Sequence, residues 1–272
     1  MQYTIGEETK IEYDVVCGQK VTVNTEVAVP IQVKQEGLIP DKYEQCLYVR
    51  NNLQNDSVGC YLNLGVTKRD VYGFKLKFRL EYPSGFTLKF FDSLFGNVGN
   101  NNTGPVIGLR GKTDTSGNYQ KYIYFAWDTT NFDLVDINDV VTDPSIPIEL
   151  TYDDYSYYFK VNGIQCGQRK KLTRPTNDSE YWLFGTRNDD GTIKATYSAT
   201  YQTNLVRIYG VTFYGSHSEN RSYLNDNNII ADFVPVKCLE DNTFGMFDVV
   251  RRFYVNNGSL SNLPKSLVGG YE

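Results

Sequence analysis

Histidine, the side chain that most often acts in acid–base catalysis, is scarce in this chain. Its single histidine, His217, lies in the polar run Gly-Ser-His-Ser-Glu-Asn. A Ser-His-Asp or Cys-His arrangement would depend on that one imidazole, and a metal site built on several histidines is impossible. Because the run is typical of a turn, we predict that His217 is a solvated loop residue rather than a catalytic one.

The cysteines give no sign of a metal site or a disulfide framework. They number five, widely spaced and without a Cys-x-x-Cys pair, which is the pattern neither of zinc binding nor of paired disulfides. We interpret them as reduced thiols and predict that the chain holds no metal and no cofactor. They are Cys17, Cys46, Cys60, Cys166 and Cys238.

The composition favours β-structure in a chain of 272 residues, which is long enough to bury a core of ordinary size. There are 22 Tyr and 15 Phe but only 2 Met, with Gly, Asn and Asp between short apolar runs. The net charge of −5 comes from scattered charges, which argues against a nucleic-acid surface or a polybasic membrane patch. No apolar run approaches the ~20 residues that span a bilayer, and no secretory signal is predicted at the start of the sequence.

From Lys10 to Lys34, apolar residues fall on odd positions and polar ones between them, with the period of a β-strand. The predicted turn is Cys17-Gly18-Gln19. Because a two-stranded ribbon is marginal by itself, its apolar side must lie against the following domain, another copy of the chain or a different protein. We predict an anchoring or oligomerising role for its apolar set, which is Val21, Val23, Val27, Val29, Ile31 and Val33.

Residues 38–258 show strand after strand at short spacing and no helical periodicity. Apolar residues at even positions from 74 to 80 alternate with charged ones, and Asn162-Gly163 is the pair that a two-residue hairpin turn favours. Such one-sided strands stack with their apolar faces together. The predicted strands are Cys60–Leu64, Gly73–Tyr82, Thr87–Phe91, Val106–Arg110, Lys121–Trp127, Ile146–Tyr152, Ser156–Val161, Tyr181–Gly185 and Leu205–Tyr214.

The predicted fold is therefore all-β: a two-sheet antiparallel jelly-roll sandwich with an N-terminal β-strand extension. We divide the chain into the extension at 1–37, the jelly roll at 38–258 and a C-terminal tail at 259–272. The tail lacks a period and is expected to lie over the surface.

Two stretches of the chain carry a family resemblance. The first is Leu38-Ile-Pro-Asp-Lys-Tyr-Glu-Gln-Cys-Leu-Tyr-Val49, followed by Gly59-Cys-Tyr-Leu-Asn-Leu-Gly65. The second is Ile230-Ala-Asp-Phe-Val-Pro-Val-Lys237, followed by Phe244-Gly-Met-Phe-Asp-Val-Val250 and Phe253-Tyr-Val-Asn-Asn-Gly258. Together they resemble the opening and closing patterns of the phage-associated laminin G-like, concanavalin A-like jelly rolls.

The closing stretch also has a physical interpretation of its own. Pro235 has no N–H and is expected to stop ladder pairing. Gly245 permits a close approach of another backbone, while Met246 and Phe247 can fill the edge of the core. Asp248 is expected to cap the turn that follows.

The resemblance implies adhesion, carbohydrate contact or architecture, which are the uses of such domains in phage and bacterial surface proteins. Our main hypothesis is a non-catalytic bacteriophage virion structural protein, a fibre, decoration or tail-associated component made in the host cytoplasm. Its expected partners are further copies of the chain, with a trimer favoured, other virion proteins and a host-surface glycan. Neither nucleic acid nor membrane is expected as a partner.

The alternative hypothesis is a carbohydrate-binding lectin module on a bacterial or phage surface. Such a site needs an aromatic platform beside amide and carboxylate groups. For Trp127 and Trp182, a place in the core or on a sheet face is favoured over a binding role. The candidate binding residues are Trp127, Asp128, Asn131, Tyr155 and Tyr157.

A glycosidase is the third and least favoured hypothesis. The retaining glucanases of this fold carry a Glu-x-Asp-x-x-Glu strand with all three acids on one face. The nearest segment here, residues 133–139, puts Asp136 on the opposite face from the other two acids. The pairs Asp153-Asp154 and Asp189-Asp190 lie in turn-like contexts, so we interpret them as solvated and predict that the chain is not an enzyme.

Overall fold

A computed structural model describes residues 13–16, 20–23, 45–49, 62–80, 91–96, 105–113, 115–126, 132–143, 145–172, 174–175, 178–184, 186–187, 193–194, 206–218, 221–237, 244–256 and 267–271. Within these residues the regular secondary structure is nearly all β-strand. The exceptions are a short α-helix, α1 (Ile137–Val140), and the 3₁₀ turns Lys68–Asp70 and Asp226–Asn228. No helix in this described part is long and apolar enough to cross a membrane.

The strands follow one another at short spacing, as the turn signals predict. They are β1 (Tyr13–Val16), β2 (Lys20–Val23), β3 (Gln45–Val49), β4 (Leu62–Thr67), β5 (Gly73–Leu80), β6 (Phe91–Gly96), β7 (Val106–Thr113), β8 (Tyr119–Ala126), β9 (Phe132–Asp136), β10 (Ile148–Asp153), β11 (Tyr158–Val161), β12 (Ile164–Cys166), β13 (Glu180–Leu183), β14 (Thr186–Arg187), β15 (Ile193–Lys194), β16 (Val206–Tyr214), β17 (Ile229–Lys237), β18 (Phe244–Asp248), β19 (Phe253–Asn256) and β20 (Leu267–Tyr271).

Two antiparallel sheets pack face to face as a sandwich, which confirms the predicted fold class. The large sheet has the order β12-β11-β10-β5-β16-β17-β18-β19, with β3 beside β16 and β20 beside β3. The small sheet has the order β4-β13-β6-β7-β8-β9. The pairs β1-β2 and β14-β15 form two separate ribbons.

The core between the sheets is built from the apolar faces that period-two alternation predicts. In β5, Phe74, Leu76 and Phe78 are fully buried, while the charged residues between them are half-buried. Aromatic rings meet across the two layers: the ring centroids of Phe74 and Phe95 are 5.0 Å apart. Burial of each such ring stabilises the sandwich by about 1.5–3 kcal/mol.

The Asn162-Gly163 hairpin is confirmed. Asn162 and Gly163 have φ values of +49° and +77°, the left-handed pair that a tight turn between β11 and β12 requires. The Asn162 side chain also accepts a hydrogen bond from the Glu149 amide at 2.8 Å, so the turn is fastened to β10.

The closing stretch forms β17, β18 and β19, and three of its four predicted features are confirmed. A Cβ on Gly245 would overlap the carbonyl oxygen of Val255, Met246 and Phe247 are buried, and Asp248 accepts from the amide of Val250 at 3.0 Å. The sequences of the asparagine-rich and tyrosine-rich loops after other strands predict fewer specific contacts than the closing stretch does.

The prediction for Pro235 is wrong for one of its two neighbouring strands. Pairing of β17 with β16 ends at Phe233, but its pairing with β18 continues through Pro235 to Lys237. A proline is tolerated where its missing N–H points to the unpaired side of a strand. That is the situation of Pro235, whose β16 side is no longer paired.

The chain ends contribute strands in two places. Residues 267–271 of the predicted surface tail form β20, which pairs along β3 and joins the large sheet. At the other end, β1 pairs with β2, and the backbone of β1 lies beside β19, an edge of the large sheet. Val21 and Val23 lie in β2, whereas Val27, Val29, Ile31 and Val33 fall outside the described residues, so the anchoring role stays a prediction.

The two cysteines that the structure describes, Cys46 and Cys166, are buried thiols outside any disulfide. Burial raises the pKa of the Cys166 thiol to about 12, which makes it unreactive at neutral pH. Cys17, Cys60 and Cys238 fall outside the described residues.

Asp232 in β17 makes the stability of the fold depend on pH. Burial, followed by the carboxylates of Asp248 and Asp226, raises its pKa in the folded chain, and a hydrogen bond from Thr212 at 2.8 Å opposes the shift. The folded chain therefore binds this proton more tightly than the unfolded chain does, and stability is lost as pH rises from the ordinary carboxyl range through the raised pKa. Asp232→Asn keeps the acceptor oxygen and should be more stable relative to wild type at pH 7 than at pH 3.

The measurement is urea unfolding of both proteins across that pH range. Asp143→Asn is the matched control, because hydrogen bonds from Ser145 lower the pKa of Asp143 and give the opposite sign. Parallel pH profiles for the two variants would contradict the assignment.

Candidate functional site

One end of the large sheet gathers the segments that build the site. Asp153 at the end of β10 lies opposite Gly73 at the start of β5, and Gly73 lies opposite Tyr214 at the end of β16. Neighbouring antiparallel strands in register begin and end at the same edge. The turn after Asp153, the residues before Gly73 and the loop after Tyr214 therefore meet there.

The two acids of this turn are buried, which makes their interpretation as solvated side chains wrong. Asp153 and Asp154 are 7% and 4% exposed. Asp153 Oδ1 accepts from the amides of Tyr155 at 3.0 Å and Tyr223 at 3.2 Å. It thereby fixes the turn and the loop after β16 to each other. Asp189-Asp190, the other acid pair, lies outside the described residues.

Asp154 is held by charge as well as by hydrogen bonds. Its Oδ2 lies 2.6 Å from Nη2 of Arg174, whose side chain is 20% exposed. Its Oδ1 accepts from the Tyr152 hydroxyl at 3.0 Å, and that hydroxyl accepts in turn from the Leu172 amide at 2.8 Å. Burial, reinforced by the charge of Asp154, raises the pKa of Tyr152 far above its usual value, so the phenol stays protonated and donates.

Beside these acids lies a row of neighbouring side chains, which we call the aromatic row: Arg174, Tyr72, Tyr223 and His217. The guanidinium carbon of Arg174 is 3.5 Å from the Tyr72 ring centroid. The Tyr72 and Tyr223 centroids are 5.0 Å apart, and those of Tyr223 and His217 are 4.8 Å apart. All four side chains are half-buried, so part of each faces solvent.

His217 lies in a loop, as the sequence predicts, but it is half-buried rather than fully solvated. Its ring packs on Tyr223, and its Nε2 lies 3.1 Å from the carbonyl oxygen of Ser222. The imidazole therefore belongs to a surface formed by neighbouring rings.

A second group, the basic cluster, lies on the other side of the turn and consists of Tyr157, Arg169 and Lys171. The Arg169 guanidinium and the Lys171 ammonium lie over the Tyr157 ring, 5.0 and 5.8 Å from its centroid. Tyr157 has a φ of +59°, which is unusual for a bulky residue. Its conformation is fixed by a hydrogen bond from its amide to Asp153 O at 2.9 Å and one from the Lys170 amide to its carbonyl at 2.9 Å.

The predicted carbohydrate-binding residues are only partly visible in this arrangement. Tyr155 is 44% exposed at the tip of the turn, and Tyr157 belongs to the basic cluster. Trp127, Asp128 and Asn131 lie outside the described residues, so their role stays a prediction. Trp182 is buried at 4% exposure, which confirms its place in the core.

The acids of residues 133–139 are used by the fold. Asp133 Oδ2 accepts from the Gln168 amide at 3.0 Å and lies 3.9 Å from Lys170 Nζ, joining an edge of the small sheet to the segment after β12. Asp136 caps α1, accepting from the Asn138 amide at 2.9 Å. Within the described ranges no three His, Cys, Asp or Glu side chains are grouped as metal ligands are.

This geometry suits binding by stacking and by charge. The buried carboxylates hold the loops in place, while the half-buried rings, the exposed Tyr155 and the cations form the surface of the site. Sequence reasoning missed Tyr72, Tyr223 and Arg174, because tyrosines are frequent everywhere in this chain and no spacing marks these. The run Arg169-Lys170-Lys171 was the available signal for the basic cluster.

Neither a scan against protein-family models nor a search of curated proteins finds a match for the chain.

Proposed function

We propose that this chain is a non-catalytic display domain of a bacteriophage particle that carries an adhesive surface for host saccharides. The observation that carries the proposal is the separation of two features. The backbone of β1 lies beside β19, three strands away from β16 in the large sheet, whereas the aromatic row lies at the ends of β5, β10 and β16. A chain attached through its N-terminal ribbon would leave the aromatic row free.

Binding rather than catalysis is favoured by how the acids are used. Asp153, Asp154 and Asp133 each hold a loop through amides or a cation, at the distances given above. The groups that reach the surface are half-buried tyrosine and histidine rings, the exposed Tyr155 and the cations, which recognise ligands by contact area and charge.

The assignment to a phage particle rests on the resemblance of residues 38–65 and 230–258 to phage-associated jelly rolls. Its closing pattern folds here as three consecutive antiparallel strands of one sheet. A lectin module on a bacterial surface is the second candidate, and the aromatic row favours it equally. The two differ in whether the N-terminal ribbon assembles the chain.

Removing residues 1–36 should convert an oligomer into a folded monomer. The full chain is expected to have a solution mass that is a multiple of 31.1 kDa, with a trimer favoured, because the apolar side of a two-stranded ribbon needs further cover. The truncated chain should keep a cooperative unfolding transition and have the mass of one copy. Light scattering at micromolar concentration measures both.

Val21→Lys with Val23→Lys in the full chain is the companion variant, since it keeps the ribbon and changes only its apolar face. A wild-type mass of one copy, or an unchanged oligomer after truncation, would contradict the assembly role and leave the lectin module.

A further inference from the structure

The basic cluster carries two cations for which the described residues supply no ion-pair partner. Arg169 and Lys171 are exposed, and within the part of the chain that the structure describes neither has a carboxylate at ion-pair distance. Of the nearby acids, Asp133 pairs with Lys170 and Asp154 with Arg174, while Asp153 is buried and accepts from two backbone amides. The surface beside Tyr157 is therefore positive on a chain whose net charge is −5.

The fold holds this cluster in position. Tyr157 keeps its left-handed φ of +59° because hydrogen bonds at both its amide and its carbonyl hold the backbone in this conformation. Its ring is thereby held beneath the two cations of an extended segment, in which residues 169 and 171 point to the same side. Tyr155, in the same turn, exposes 44% of its surface.

We infer that this end of the sandwich binds an acidic polysaccharide with carboxylate-bearing pyranose rings, a uronic-acid polymer. The inference rests on the adhesive part of the proposed function and names its ligand class. A guanidinium matches a carboxylate in a planar, two-bonded geometry, and exposed tyrosine rings offer apolar surface to the C–H face of a sugar ring. A neutral glucan would use only the rings, and a polyanion without sugar rings would use only the cations.

Three polymers separate these contributions when their binding to the full chain is measured by biolayer interferometry. Polygalacturonate has both sugar rings and carboxylates, dextran has rings alone, and poly-L-glutamate has carboxylates alone. Polygalacturonate should bind at least about tenfold more tightly than either of the others. Its affinity should fall as sodium chloride rises from 50 to 200 mM, because exposed charges are screened.

The charge variants test the cluster itself. Arg169→Gln with Lys171→Gln should weaken polygalacturonate binding about tenfold. Lys160→Gln with Lys112→Gln is the matched control, because it also removes two charges. These lysines are exposed, on β11 and β7, and their loss should change binding less than about twofold. An unchanged melting temperature shows that each variant is folded.

Several results would overturn the inference: equal binding of polygalacturonate and poly-L-glutamate, equal binding of polygalacturonate and dextran, or equal losses in the cluster and control variants. The outcome is independent of the assembly test. A chain that oligomerises through its ribbon but does not prefer polygalacturonate would overturn the ligand assignment and leave the display role standing.

Discussion

Asp248→Ala is expected to lower the free energy of unfolding by about 3–5 kcal/mol. Asp248 is fully buried at the end of β18. Its Oδ1 accepts from the amides of Asp232, Val250 and Arg251 at 3.1, 3.0 and 3.2 Å, and its Oδ2 pairs with Arg251 Nε. Alanine would leave three amides and a cation without their acceptor in one step.

The same aspartate also supports the contact between the sheets. Arg251, oriented by Asp248, donates from Nη1 to the Gly65 carbonyl at 2.9 Å and from Nη2 to the Leu64 carbonyl at 3.3 Å. These carbonyls lie in β4 of the small sheet, and the guanidinium also lies 4.5 Å from the Phe253 ring centroid. Loss of Asp248 therefore weakens both the turn and the link between the layers.

Urea unfolding at pH 7 measures the effect, with Asp248→Asn and Asp139→Ala alongside. Asparagine keeps one acceptor for the three amides but loses the ion pair. Asp248→Asn should therefore lower the free energy of unfolding by about half as much as Asp248→Ala does. Asp139 is exposed in α1, and its replacement should change stability by no more than about 0.5 kcal/mol. An Asp248→Ala protein as stable as the Asp139→Ala protein would show that this turn does not depend on its aspartate.

The fold could be predicted because its signals are local. Alternation in β5 and the Asn162-Gly163 turn each depend on neighbours within a few residues, and both are confirmed. Strand β9 has no counterpart among the predicted strands, since its residues are only half-buried or exposed and show little contrast between faces. Strand β20 in the tail could not be predicted either, because it contains two glycines and pairs with a strand from the other end of the chain.

The site could not be predicted because its contacts are distant in sequence. Asp153 and Asp154 sit in a sequence that is typical of a solvated turn, yet Asp153 bonds a residue 70 positions away and Asp154 bonds one 20 positions away. Burial of a carboxylate is decided by which segment passes over it, and composition does not carry that information. The same holds for Tyr72 and Tyr223, which are neighbours only because β5 and β16 are.

Arg174→Met is expected to destabilise the chain by about 3–5 kcal/mol, since it leaves the buried carboxylate of Asp154 without its cation. Methionine keeps most of the apolar stem, so the loss reports charge rather than volume. The variant also removes donors from the carbonyls of Val71 and Arg69 and the cation from the face of Tyr72. Chemical unfolding at pH 7 gives the free energy.

The double variant Asp154→Asn with Arg174→Met separates the contribution of the ion pair from that of the other Arg174 contacts, because it also removes the unpaired buried charge of Asp154. It should recover at least about half of the stability that Arg174→Met loses, a coupling of about 1.5–3 kcal/mol. Arg169→Met is the matched control: this arginine also lies over a tyrosine ring but has no buried partner, so its loss should stay within about 1 kcal/mol. If Arg174→Met and Arg169→Met cost the same, or if the double variant is as unstable as the sum of the two single ones, Asp154 is not the acid that Arg174 holds in place.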